Sequence, residues 1–131
     1  MNYDKRTGKI IIPMGVRPES HELDTADVFL AAGFDVEFIA PSRTKGSKTP
    51  DVKINGVLWE IKSPLGSTKK TVERQLQRAG KQSKNIIFDS RGTKLDDTYI
   101  EKEVRRQLNL SKSIKIVIFI KKDSTKIDIK R

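Results

Sequence analysis

DVKINGVLWEIK, residues 51–62, is two apolar-rich runs joined by Asn55-Gly56. Asn-Gly between alternating runs is the strongest short-range signal for a β-hairpin, because both central residues of its two-residue turn take positive φ. Counting outward from that turn pairs Ile54 with Val57, Lys53 with Leu58, Val52 with Trp59 and Asp51 with Glu60. Cross-strand partners point to one side, and side chains alternate along each strand. Val52, Ile54, Val57, Trp59 and Ile61 therefore form an apolar, core-facing side. Asp51, Glu60 and Lys62 share the other side at the open end of the hairpin. There the Asp51 and Glu60 Cβ atoms would stand about 4.5–5.5 Å apart.

Working outward toward the N-terminus, Ser20 is the expected N-cap of a helix with Leu23, Ala26 and Leu30 on one face and Gly33 as its stop. A strand over Phe34–Ala40 and a loop, PSRTKGSKTP, lead into the hairpin. Residues 1–19 are polar and punctuated by Pro, with Ile10–Ile12 as an edge strand or strap. Toward the C-terminus, Pro64-Leu65-Gly66 closes the second hairpin strand. A helix over Thr68–Ser83, a strand Asn85–Asp89, a helix Asp96–Leu110 and strands Lys115–Ile120 and Lys126–Ile129 complete the pattern. Strand–helix–strand succession implies parallel crossovers, so the fold class is α/β, a mixed sheet flanked by helices. The chain is expected to be one domain: a strap over 1–19, a core over 20–120 and a C-terminal strand within 121–131.

The composition narrows the function. The chain has 131 residues, with 27 Lys+Arg against 17 Asp+Glu and a formal charge of +10. Such a balance favours phosphates or acidic protein surfaces as partners. Cys is absent, which excludes a disulfide framework, thiolate metal sites and a Cys nucleophile. No apolar run approaches the roughly 18 residues of a membrane span, and MNYDKRTGKIII lacks the apolar stretch of a secretory signal. A cytoplasmic site of action, without a membrane partner, is expected.

Two carboxylates directly opposite each other repel unless something positive lies between them. A hard divalent cation, Mg²⁺ or Mn²⁺, suits the Asp51–Glu60 pair: it takes one or two carboxylates and fills its other positions with water and phosphate. Lys62 is placed to hold a water beside it, and a solvated hairpin end with Lys62 neutralising Glu60 is the competing account. Glu22 lies in line with Ala26 and Phe29 at the edge of the first helix's apolar stripe. It is a candidate third ligand, or simply an acid favoured by the helix dipole. On the helix after the hairpin, Lys70, Arg74, Arg78 and Lys81 fall on one stripe, opposite Val72, Leu76 and Ala79. Lys69 adjoins that stripe. From Lys62 to Lys84 there are seven basic residues and one acid, Glu73. A stripe so purely of one sign points to a phosphate track rather than a solvated face. Arg43, Lys45 and Lys48 in the preceding loop would form its second bank.

Thr49-Pro50-Asp51 followed by Glu60-Ile61-Lys62 resembles the Pro-Asp … Glu-x-Lys signature of the PD-(D/E)XK nuclease superfamily. The segment HELDTADVFLAAGFDVEFIA resembles that superfamily's first helix and strand, and Glu22 matches the acid often found there. The resemblance implies a restriction-endonuclease-like αβββαβ core, with Asp51, Glu60 and Lys62 catalytic and Glu22, Asp51 and Glu60 around the metal. KTPDVKINGVLWEIKSP through KQSKNIIFDSR resembles more closely the C-terminal nuclease domains of contact-dependent growth inhibition toxins, many of which cleave tRNA. Over roughly residues 20–120 this implies a toxin nuclease, RNA as substrate ahead of DNA, and a cognate immunity protein. The chain begins with Met and shows no delivery region, so a free-standing relative and an excised domain both fit.

Other assignments stay open. A DNA endonuclease or resolvase of the same fold would use the same residues. A metal-independent tRNase would draw on His21, Ser63, Thr68, Lys62 and Arg74, with the substrate's 2′-OH as nucleophile; His21 is the chain's one His. A non-catalytic accessory protein would bind nucleic acid without cutting it. Trp59 is expected in the core, so a base-stacking platform is not. Phosphate contacts do not separate RNA from DNA, and the oligomeric state is not encoded in these patterns.

Overall fold

In the computed structural model, which describes residues 7–41 and 49–131, Asn55 and Gly56 have φ of 54° and 80°. These are the two positive values that a type I′ hairpin turn requires. The turn joins β3 (Val52–Ile54) to β4 (Val57–Lys62), antiparallel, with Val52, Lys53 and Ile54 opposite Trp59, Leu58 and Val57. The register is the one counted from the sequence. Val52, Ile54 and Trp59 are buried, whereas Val57, beside the turn, is 41% exposed and so drops out of the expected apolar face.

The chain forms two compact units, Met1–Trp59 and Glu60–Arg131, dividing inside β4. The first holds β1 (Ile10–Ile11), α1 (Ser20–Ala31), β2 (Val36–Phe38) and the hairpin. β1 runs parallel to β2 as an edge strand, and β2 runs antiparallel to β3. Its buried apolar residues include Ala26 and Phe29 of α1 with Val36, Phe38, Val52, Ile54 and Trp59. Glu19, not Ser20, is the N-cap of α1. Glu22 Oε1 accepts its backbone N–H at 2.9 Å, half of a capping box. Gly33 (φ 91°) ends the helix, its N–H bonded to Leu30 C=O. Phe34 N–H still bonds to Phe29 C=O, so Phe34 belongs to this turn and β2 is shorter than the expected Phe34–Ala40. The strap is pinned at Gly8, where a Cβ would lie 1.8 Å from Phe34 O.

The second unit holds the end of β4, α2 (Lys69–Gln82), β5 (Asn85–Asp89), α3 (Asp97–Leu110), β6 (Ile116–Ile120) and β7 (Lys126–Lys130). β4, β5 and β6 are parallel and β7 is antiparallel. Crossovers of one hand, made in a sheet whose order follows the chain, put both helices on one face. There Val72, Leu76 and Ala79 of α2 and Ile100, Val104 and Leu108 of α3 bury Ile86, Phe88, Val117, Phe119 and Ile129. Strand order is β1-β2-β3-β4-β5-β6-β7, with β4 common to both halves of this mixed seven-stranded sheet. The run α1-β2-β3-β4-α2-β5 is the expected αβββαβ order.

Candidate active site

In the second unit, Glu60 pairs with Ile86 and Lys62 with Phe88. Partners in a ladder point to the same side, and Ile86 and Phe88 lie in the core beneath α2 and α3. Glu60 and Lys62 therefore stand on the sheet face that α2 covers. The Glu60 side chain is 4% exposed and that of Lys62 is 19% exposed, with Nζ 3.4 Å from Oε2. A carboxylate so deeply withdrawn from water needs a charged or hydrogen-bonding neighbour to stay ionised. Lys62, two residues along the same strand, supplies one.

α2 is divided as the sequence predicts. Val72, Leu76 and Ala79 are buried, while Lys70, Arg74, Arg78 and Lys81 are exposed. Among the described residues no ion pair draws on those four cations. Glu73, the one acid of the helix, bonds outward to Arg106 at 3.3 Å. The first turn of α2 contains no acid and begins Lys69-Lys70, against the preference of a helix N-terminus for negative charge. Lys69 Nζ instead lies 4.9 Å over the Tyr99 ring, a cation–π contact.

In the first unit, Glu22 and Asp51 feel each other's charge. Burial pushes the Glu22 carboxyl above its ordinary value, and the Asp51 and Glu19 charges push the same way. The Glu19 backbone N–H and His21 oppose them. Asp51, half-buried, follows directly from the hairpin: its N–H donates to Trp59 C=O at 3.0 Å, and its C=O accepts from Ile39 N–H at 2.9 Å. Asp51 and Glu60 each lie one residue beyond the registered pair Val52–Trp59.

His21 sits in the first turn of α1, with Nε2 2.6 Å from Glu19 Oε2 in an exposed pair. Ser63 is half-buried just after β4. Thr68 is the exposed N-cap of α2, its C=O accepting from Thr71 N–H. Arg43, Lys45 and Lys48 lie outside the described residues. Among the described residues, no three or more of His, Cys, Asp or Glu form a group that could hold a metal. A cation here would rest on fewer protein carboxylates and take its other ligands from water and substrate, which is the habit of Mg²⁺.

Sequence reasoning missed a polar network after β5. Asp89, 5% exposed at its side chain, receives Arg91 Nε, Nη2 and backbone N–H at 2.8–3.0 Å. Ser90 Oγ donates to Asp97 Oδ1 at 2.7 Å, and Lys122 Nζ donates to Ser90 C=O at 3.0 Å. Burial would raise the Asp97 carboxyl, but the Ser90 hydroxyl and the Lys122 N–H and ammonium outweigh it and hold the carboxyl low. The one signal was an acid closing an apolar strand, Phe88-Asp89-Ser90-Arg91.

A search of curated proteins finds no match. Among solved structures, a chain of the "CdiA-CT/CdiI toxin and immunity complex from Burkholderia pseudomallei" is similar, with a TM-score of 0.60 and 22% identity. The similarity covers 95% of this chain and 100% of that one, and at this identity it speaks for the fold alone. Residues 48–125 match the family described as "Contact-dependent growth inhibition CdiA C-terminal domain". The match takes in the hairpin, α2, β5, α3 and β6, more than half of the chain, so this protein belongs to the contact-dependent growth inhibition CdiA C-terminal domain family.

Proposed function

We propose that this domain is a metal-dependent nuclease, the toxic part of a contact-dependent growth inhibition system, cutting phosphodiester bonds of structured RNA with tRNA foremost. The observation that carries this is the Glu60–Lys62 pair: a carboxylate 4% exposed and an ammonium 3.4 Å away, on the sheet face covered by a helix whose outer stripe is purely basic. A structural ion pair needs no such stripe beside it. A phosphodiesterase needs both a charged centre and a bank for the backbone it cuts.

In this scheme Asp51 and Glu60 would hold a Mg²⁺ or Mn²⁺ ion, with Glu22 assisting through a bound water rather than as a direct ligand. Such an ion supplies charge stabilisation at the phosphate and acidifies a bound water. Lys62 orients the attacking water and offsets charge building on the phosphate. Lys70, Arg74, Arg78 and Lys81 hold the backbone by its phosphates, a contact that positions without reading sequence. RNA is favoured by the resemblance to toxin tRNases and by the ease with which unpaired nucleotides of a folded RNA can be splayed into a site. A cognate immunity protein in the producing cell and action in the cytoplasm of the target cell complete the proposal. It extends to membership of the PD-(D/E)XK superfamily.

The test is incubation with tRNA, linear duplex DNA and branched DNA, each with Mg²⁺ and with EDTA. Cleavage of tRNA that requires Mg²⁺ is the expected result. Cleavage surviving EDTA would move the chemistry to the 2′-OH route. Nicking of DNA with tRNA left intact would make this a DNA nuclease, and binding without any cleavage an accessory factor.

A further inference from the structure

The +10 charge is not spread evenly along the chain. Residues 1–59 carry 8 Lys/Arg and 8 Asp/Glu, whereas residues 60–131 carry 19 and 9. All of the excess lies in the second unit, and part of it gathers where the α2 stripe ends. α2 leaves the C-terminal end of β4 and returns at the N-terminal end of β5, so Lys70, Arg74, Arg78 and Lys81 lead toward the edge where β5 and β6 begin. Lys84 and Lys115 meet there: Lys115 N–H donates to Lys84 C=O at 2.8 Å. Ile116 is registered with Lys130 of β7, and Arg131 Nη2 donates to Leu108 C=O at the end of α3. Ser113 Oγ donates to Gly80 C=O at 2.8 Å, fixing the loop that carries Lys112 against the end of α2.

Lys81, Lys84, Lys112, Lys115, Lys130 and Arg131 are all exposed. Among the described residues none of them enters an ion pair. No acid occurs from Gly80 to Phe88 or from Gln107 to Lys122, and Asp128 is the nearest along β7. Several cations elsewhere in the unit do face counter-charges. Arg105 and Arg106 on the outer face of α3 are matched by Glu101 and Glu103, and Lys122 by Asp97. Cations of one sign, gathered without counter-charges, repel one another in the free protein, and a polyanion relieves that repulsion.

We infer that this edge is a second phosphate-binding bank, continuous with the α2 stripe, and that the substrate carries a double-helical arm running along both. The inference rests on the nuclease assignment above. Its reach follows from geometry. α2 with 14 residues is about 21 Å long, and the step from β5 to β7 adds about 10 Å. Because α2 runs along the strands and this step crosses them, the two legs span about 23 Å end to end, most of one turn of a double helix. A loop or a single-stranded end would touch only part of that span.

The test measures binding of RNA hairpins that share one loop and have stems of about 4 or about 12 base pairs, with DNA hairpins of the same sequence beside them. The wild type is compared with Lys84→Gln/Lys112→Gln/Lys115→Gln across a salt series. Exposed Lys→Gln changes rarely disturb folding, and a thermal melt verifies that. The wild type should bind the long stem at least about tenfold more tightly than the short one. The triple variant should erase that difference and lower the long-stem salt slope by about 2–3, roughly one for each phosphate that the variant no longer neutralises. Equal binding of both stems by the wild type, or an unchanged slope in the variant, overturns the inference and leaves the nuclease assignment standing. Wild type that binds no hairpin overturns both. A variant that keeps its RNA binding but loses a cognate immunity protein also overturns it, assigning the patch to an acidic protein surface.

Discussion

Replacing Glu60 with Gln removes one charge while keeping the side chain's shape. At 3.4 Å from Lys62 Nζ, the gross attraction is about 5 kcal/mol at an effective dielectric of 20. Withdrawal of both groups from water offsets most of that, because the Glu60 side chain is 4% exposed and Lys62 is 19% exposed. Gln also retains a hydrogen-bond acceptor, and Lys62 is near enough to solvent to rehydrate. The net loss should be about 1–2 kcal/mol, a fall in Tm of about 4–10 °C for a chain of this size. Cleavage should fall far more, by at least about 10³-fold, because in the proposed scheme the lost charge is one that holds the metal ion. The assay is a melt followed by circular dichroism, paired with Mg²⁺-dependent cleavage of tRNA. A folded Glu60→Gln protein with full activity would refute the site. A protein unfolded at 25 °C would show instead that the pair exists for stability.

Arg74→Gln/Arg78→Gln should weaken nucleic-acid binding with little regard to sequence and reduce the salt slope by about two; filter binding across a salt series reads both. Glu22 has its carboxyl raised by burial and by Asp51, so its ionised form opposes folding. The stability linked to its proton is fully present below the unfolded value of 4.5 and is lost as pH rises through the higher folded value. In the absence of divalent metal, Glu22→Gln should therefore raise Tm near pH 7–8 and have no such effect near pH 4. Gln can also keep the capping box closed. Equal effects at both pH values would show that charge at Glu22 is not the cause.

Much of the architecture was legible because it was written in local chemistry. Asn55-Gly56 admits one tight turn, and from that turn the register, the burial of Val52, Ile54 and Trp59, and the common face of Glu60 and Lys62 follow by counting. α2 and α3 were legible because Val72, Leu76 and Ala79, and Ile100, Val104 and Leu108, recur at helical spacing and find the same sheet face. What failed lies where tertiary geometry overrides pattern. Val57 has the right alternation but sits beside the turn, where it stays 41% exposed. Phe34 has strand propensity, yet its N–H is claimed by the helix end at Phe29. Ser20 is a better cap by type than Glu19, but the Glu22 carboxylate fixes the cap one residue earlier.

The same distinction separates the two kinds of basic patch. The α2 stripe has a period, so the sequence discloses it. The patch at the start of β5 and β6 has none, because Lys81, Lys84, Lys112, Lys115, Lys130 and Arg131 come from three segments that only the sheet register assembles. A network such as Asp89–Arg91 and Ser90–Asp97–Lys122 is hidden for the same reason. These two hidden features also differ in what they can do. In the Asp89–Arg91 network each cation already faces a carboxylate, so it ties loops together and contributes little field beyond itself. The edge patch has no such partners within its segments, so its field extends outward until something anionic meets it. Charge that is matched inside the fold is spent on the fold. Charge left unmatched is available to a partner, and among the described residues α2 and the edge where it ends hold a large share of it.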